Sequence, residues 1–376
     1  MDETGKFQRY RLIIVASVMM ALLAPTGWTQ LLAQPRMDPV SVVRDDISLD
    51  FPQGLNFRLE LDSASAVSKA DLLFSVGENR TLIQTSAQLA DSTDGVIDHF
   101  VNMRTLGIPT GLTLSYHWRL QSEAGQIVET PISQTEWFDD RYEWTAYNTE
   151  DIVLYAYSGE DDFNDSAAQV GQDALSALQD RFDAPARFEP LRIWLYESQS
   201  DMSGALSPNS REWIGGVSYA RYSLIAAVVP SGSDYAIQRV IPHEVAHQII
   251  YDATHNPFVH PATWLDEGIA MAVQTVDLEG LDAMVEDAYL DGTLPSVQSM
   301  ISEFGSDGGS TRLAYASSYS VVMFIEETMG AEMIDGLVAA YADGRAHDDT
   351  LMSVLSIDTM ELNRLWRESI ESQING

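Results

Sequence analysis

The chain has 376 residues, 45% hydrophobic and 20% charged, with 21 Lys+Arg against 56 Asp+Glu and a formal net charge of -35. That composition is globular, and its charge excludes nucleic acid and anionic membrane surfaces as partners, because both would be repelled. The absence of cysteine removes thiol nucleophiles, disulfides and Cys-ligated structural zinc.

At the N-terminus Lys6, Arg9 and Arg11 precede an apolar run from Leu12 to Ala24, followed by Pro25, Thr26 and Gly27. A basic stretch and an apolar run of this length predict a secretory signal over residues 1–36, and the run is short for a membrane span. Ala24 and Ala33 are candidate cleavage ends, but Leu22 and Leu31 stand where small residues are preferred. Both outcomes stay open: a cleaved signal peptide, or an uncleaved anchor attaching the protein to a membrane. Either way the expected location is export.

Residues 37–148 read as β-structure. Ile47–Phe51, Leu55–Leu61 and Leu112–Leu120 alternate apolar and polar side chains, which buries one face and wets the other. Leu72–Val76 is a further strand, and Ser122–Gly125 reads as a hairpin turn into Ile127–Thr130. Short strands separated by turns predict a β-sandwich of immunoglobulin or fibronectin type, with Trp118 as a core anchor. His99 and His117 lack a second ligand at metal spacing and are read as structural. Phe138–Trp144 is a polar and aromatic transition that puts a domain boundary near Asn148.

From residue 149 to 376 the pattern changes. Strands are predicted at Ile152–Tyr157, Leu191–Tyr196, Ile214–Ala220 and Leu224–Val229, with an amphipathic helix over Asp161–Phe182. Pro230–Asp234 ends the last strand, and a helix begins at Tyr235. From Glu267 onward the chain reads as helical, with helices over Thr311–Met329 and Ala331–Tyr341 and a last helix opened by a capping box at Asp358–Glu361. The predicted class is α+β, a β-sandwich followed by a small mixed sheet and a helical C-terminal part.

The helix after Tyr235 carries His243-Glu244-Val245-Ala246-His247. Imidazoles four residues apart on a helix point the same way, so both can bind one zinc ion while Glu244 works on the zinc-bound water. The helix is apolar around them, at Ile237, Val240, Ile241, Val245, Ile249 and Ile250, where unpartnered charge is strongly disfavoured. A third ligand is needed, and Glu267, twenty positions past His247, is the best candidate. Asn256-Pro257 and His260-Pro261 suit a chain reversal between them, and His255 and His260 are read as loop residues beside the site.

The string HEVAH followed by Trp264-Leu265-Asp266-Glu267-Gly268-Ile269-Ala270 resembles the gluzincin metallopeptidases, the group of thermolysin and aminopeptidase N. The layout, a β-domain before a compact gluzincin unit, is most similar to bacterial peptidase MA-like proteins. The resemblance implies a zincin fold with one zinc ion held by His243, His247 and Glu267, and Glu244 as the general base. Tyr315–Gly330 is similar to the aminopeptidase N helix that opens Y-x-K-G, which makes Tyr315 the oxyanion-stabilising tyrosine and Tyr319, one turn later, its competitor. Ser317 and Ser318 replace the lysine and glycine of that pattern.

Two departures restrict the function. The G-A-M-E-N string that recognises a free amino terminus is absent; Gly215–Ser218 is the nearest stretch and has no glutamate. Met271 stands where thermolysin has the aspartate that orients a zinc histidine, leaving Asp266 as the candidate for that role. The expected function is zinc-dependent hydrolysis of peptide or protein substrates by an exported bacterial metallopeptidase, secreted or anchored on the outer face of the cytoplasmic membrane. The alternatives are a non-catalytic surface protein that keeps the fold for binding, and an aminopeptidase with an atypical amine site.

Overall fold

The computed structural model describes residues 41–375 apart from 63–66, 78, 90–94, 124, 188, 207–214, 257–258, 277, 279 and 305–307. The expected leader, residues 1–36, lies outside the described residues, as does Ile214. Val40–Gly376 cluster as one compact unit, and no described helix is long and apolar enough to cross a membrane.

The first part is built from β1 (Val42–Asp50), β2 (Gly54–Leu61), β3 (Val67–Val76), β4 (Asn79–Ser86), β5 (Val96–Val101), β6 (Leu112–Ser122), β7 (Ile127–Glu129) and β8 (Ser133–Trp137). They form two antiparallel sheets, β1-β2-β5 and β4-β3-β6-β7, with β8 also pairing β6. Alternation in the sequence becomes two inner faces: Leu55, Phe57, Leu59 and Leu61 from β2 and Leu112, Leu114, Tyr116, Trp118 and Leu120 from β6 share one core. Trp118 is fully buried and the Phe57 ring meets it edge-on at 6.5 Å. Its indole N–H donates to Asp45 Oδ1 at 3.4 Å, so the tryptophan is a core anchor whose polar end is also met. His99 bonds Thr85 at 2.8 Å, a structural role. The strands β4, β5 and β8 escape alternation rules because they are edge or polar segments such as Ser-Gln-Thr-Glu-Trp.

The second part opens with β9 (Thr145–Asn148), β10 (Ile152–Ala156), α1 (Asp161–Phe182), β11 (Leu191–Tyr196), a short α2 (Gln199–Ser203), β12 (Gly216–Tyr219) and β13 (Leu224–Val228). These strands make a mixed sheet in the order β12-β13-β11-β10-β9, with β10, β11 and β13 parallel and the outer two antiparallel. β9 ends at Asn148, the expected boundary, yet pairs with β10 of the second part. Helices α3 (Asp234–Thr254), α4 (Thr263–Ala272), α5 (Leu281–Leu290), α6 (Gly308–Met329), α7 (Ala331–Ala342), α8 (His347–Leu355) and α9 (Thr359–Asn375) follow. Asp358 Oδ1 accepts the Glu361 N–H at 2.8 Å, closing the expected cap of α9.

The run Leu191-Arg-Ile-Trp-Leu-Tyr196 is nearly all apolar because both faces of β11 are covered. Ile193 and Leu195 join the core under α1 and α3, whereas Trp194 and Tyr196 join the core of the first part. The transition stretch supplies the seam: Trp144 packs edge-on against Trp194 at 4.8 Å and Tyr196 at 5.3 Å, and Tyr142 stacks on Tyr157 at 4.0 Å. Asp139, fully buried there, is held by Arg141 at 2.8 and 2.6 Å and by the Tyr196 hydroxyl at 3.3 Å.

Candidate metal centre

Helix α3 begins at Ser233, whose hydroxyl accepts the Ala236 N–H at 3.3 Å. Its inward face buries Ile237, Ile241, Val245 and Ile249 against the sheet and α1. That leaves His243 and His247, one turn apart, on the side facing α4, with their rings 4.9 Å apart and nearly perpendicular. Helix α4 buries Trp264, Leu265, Ile269 and Ala270, and its opposite side presents Asp266 and Glu267 to α3.

The two consecutive acids grip His247 from both ends. Asp266 Oδ1 lies 3.0 Å from Nδ1, and Glu267 Oε2 lies 3.5 Å from Nε2. The same Glu267 oxygen lies 3.5 Å from His243 Nε2. Tetrahedral zinc with bonds near 2.0–2.2 Å separates neighbouring ligand atoms by about 3.3 Å, so these three atoms match one coordination sphere. Glu267 Oε2 is buried and accepts no hydrogen bond, and a buried carboxylate oxygen is strongly disfavoured without a partner. A dication supplies that partner. Among the described residues, His243, His247 and Glu267 are the one group able to hold a metal ion.

Electrostatics agree with the geometry. Burial works against the His247 imidazolium, but Asp266 and Glu267 overcome it and push the imidazole pKa well above the ordinary range. Burial likewise opposes ionisation of Glu267, yet the two histidines hold its carboxyl well below the usual carboxylate range. Glu244 is 3% exposed, and burial raises its pKa against the pull of the same histidines. A carboxylate raised in this way is a better base near neutral pH.

His243 needs its own orienting partner, and sequence reasoning missed it. The Gln274 amide lies 2.9 Å from His243 Nδ1. An imidazole that binds metal through Nε2 carries its proton on Nδ1 and needs an acceptor there. Gln274 Oε1 is buried without a partner, and turning the amide over, an assignment the hydrogen-bond network decides, presents that oxygen to the proton. Gln274 is thus placed beside His243 where Met271 offers no such polar group. Proline provides the tether. Pro242 sits inside α3 and has no N–H for the carbonyl four residues back. That carbonyl, of Gln238, instead accepts the Thr275 N–H at 3.2 Å, which holds the chain next to Gln274 against α3. The signals were a proline within a helical pattern and a glutamine two turns beyond Glu267.

Two glycines allow the close approaches. A Cβ on Gly216 would fall 2.7 Å from Glu244 Cγ and Oε1, so only glycine in β12 leaves room for the carboxylate. A Cβ on Gly268 would meet the Ser318 carbonyl at 2.5 Å, so α6 can lie against α4 only there. That packing brings α6 to the site. Tyr315 lines a cleft of about 510 Å³ together with His243, Glu244, Gly215, Gly216 and Gln274; its ring centroid is 6.3 Å from that of His243. Both tyrosines pack against the apolar core, but Tyr319 is not among the residues lining the cleft. The His255 ring lies tilted 4.9 Å from that of Tyr251 and, like His260, is outside the metal group.

No curated protein matches the sequence. Among solved structures, the chain is similar to leukotriene A4 hydrolase from Saccharomyces cerevisiae at 13% identity and a TM-score of 0.37, covering 86% of this chain and 68% of that one. It is similar to aminopeptidase A from Legionella pneumophila at 14% identity and a TM-score of 0.38, covering 89% of this chain and 50% of that one. The model of the Peptidase MA superfamily matches residues 170–372, from within α1 to within α9 and more than half of the chain. With the helices that carry His243 and His247, Asp266 and Glu267, and Tyr315 inside that span, the chain belongs to the Peptidase MA superfamily.

Proposed function

We propose that the protein is a zinc-dependent peptidase that cleaves peptide or protein substrates, with His243, His247 and Glu267 holding one ion. One observation carries the reading: a buried carboxylate oxygen of Glu267 that accepts no hydrogen bond and is equidistant from two imidazole nitrogens, behind a cleft lined by Glu244 and His243. When bound, zinc supplies Lewis acidity to water and to the scissile carbonyl.

The chain's own residues do the rest. Glu244 takes the proton of the attacking water and returns it to the leaving amine. The Tyr315 hydroxyl, on the cleft wall, donates to the oxyanion that develops at the carbonyl. Asp266 and Gln274 hold His247 and His243 in the tautomer that keeps Nε2 free. β12 is an edge strand of its sheet, and Gly216 at its start lies at the cleft next to Gly215; an extended substrate backbone can add beside such an edge.

The rest of the chain is read around this unit. Residues 149–376 are a gluzincin domain with a thermolysin-like zincin fold. Residues 37–148 are a β-sandwich of immunoglobulin or fibronectin type, supported by the facing sheets β1-β2-β5 and β4-β3-β6-β7. Residues 1–36 export the protein, which is secreted or anchored on the outer face of a bacterial cytoplasmic membrane.

Purified protein assayed for bound zinc and for cleavage of a mixed peptide library tests this. Glu244→Gln is expected to keep the zinc and lower kcat by about 10²–10⁴-fold. Zinc bound with no cleavage by the parent protein would instead favour a binding protein. Cleavage restricted to peptides with free amino termini would make the enzyme an aminopeptidase.

A further inference from the structure

The cleft inverts the charge of the molecule. Acids outnumber bases 56 to 21 along the chain, yet among the described residues lining the cleft the only acid is Glu244, while Arg239 and Arg312 are both present. Elsewhere arginines are mostly committed to partners, as Arg141 is to Asp139 and Arg181 to Glu326. Arg239 and Arg312 are exposed and bond to no described residue. Their places are set by helix geometry. Arg239 is four residues before His243 on α3, and Arg312 is three before Tyr315 on α6, so each shares a helical face with a residue of the site.

From this we infer that the cleft selects substrates bearing a carboxylate, which the guanidiniums of Arg239 and Arg312 bind; the inference rests on the peptidase reading. The planar fork of arginine matches a carboxylate, and the bond is charge-assisted. The surrounding acidic field repels anions at long range, but that field is screened by salt, whereas contact inside a walled cleft persists. Two sources share the chemistry: an Asp or Glu side chain, and the free C-terminus of a peptide.

The test uses the full-length protein carrying Glu244→Gln, so that peptides bind without being cut. The probes are a capped oligoalanine amide with one glutamate stepped through it, its glutamine counterparts, and the same oligoalanine with a free C-terminus; binding is read by calorimetry. At one register the glutamate peptide is expected to bind about tenfold tighter than its glutamine twin. If the C-terminus is the source, the free acid gains over the amide by a similar factor. Either gain should disappear when Arg239→Gln or Arg312→Gln is added, with the thermal midpoint of unfolding unchanged. Equal binding of charged and neutral peptides, no binding of either, or a gain that survives both arginine substitutions overturns the inference. With Glu244 restored, kcat/KM should follow the same preference, and the arginine variants should lose the difference between acidic and neutral peptides. Tighter binding of acidic peptides by a protein that cuts nothing would sink the hydrolytic reading and leave this one standing.

Discussion

Buried carboxylates in the two parts of the molecule are treated in opposite ways. In the first part Asp71, 3% exposed, is closed by Lys69 at 2.6 Å and by the Ser86 hydroxyl at 2.6 Å. Asp45 receives the Trp118 indole and the Tyr116 hydroxyl. In the second part Glu267 faces two imidazoles and still has one oxygen without a hydrogen bond, and Gln274 has another. A carboxylate that only supports a fold has its bonds completed by the fold, because an unmet buried acceptor destabilises by about 1–3 kcal/mol. The Glu267 oxygen, one step behind the cleft-lining His243 and Glu244, is not completed in this way.

The sharpest way to break this contrast is Glu267→Ala. Losing a direct ligand should lower zinc affinity by more than about 100-fold, since even the outer partners of metal ligands are worth 10–100-fold. Competition with a chromophoric chelator measures it, and unchanged affinity would mean that the open oxygen has no metal to bind. Next in size is the pair of tyrosines on α6. Tyr315→Phe should lower kcat about 100-fold, as loss of one oxyanion donor does, with KM nearly constant. Tyr319→Phe, off the cleft, should stay within about twofold by the same principle. Equal losses in both variants would remove the distinction between them.

The smallest effect belongs to the closed carboxylate. Lys69→Met should destabilise the fold by about 1–3 kcal/mol and leave zinc binding and kcat alone. Burial raises the Asp71 pKa, but Lys69 and Ser86 overcome it and bring the carboxyl below its ordinary value. Its contribution is therefore present above the unfolded pKa and lost as pH falls through the folded one. In Lys69→Met the native pKa rises, so melting curves should lose stability at a higher pH than the parent. A variant that shifts zinc affinity instead would show that the first part is energetically tied to the metal centre.

Local spacing carried much of this. The helix Asp161–Phe182 and the strand Leu191–Tyr196 were legible to the residue, because their apolar positions repeat at helical spacing or run unbroken. His243 and His247 had to share a face once they lay on one helix. Asp266 could be named as an orienting residue but not assigned to His247, since that contact spans nineteen positions. Gln274 left only indirect signals: its approach to His243 depends on Pro242 freeing a carbonyl that Thr275 takes.

By itself, then, the sequence determined the long periodic elements and the shared face of His243 and His247 with Glu244 between them, because helix geometry acts over a single turn. Only the tertiary structure decided the approach of Glu267 to both histidines, the presence of Tyr315 rather than Tyr319 on the cleft lining, and the presence of two arginines there. Those depend on how closely α4 and α6 pack at Gly268 and how closely β12 meets Glu244 at Gly216. Close packing between distant segments leaves no period in the chain to read.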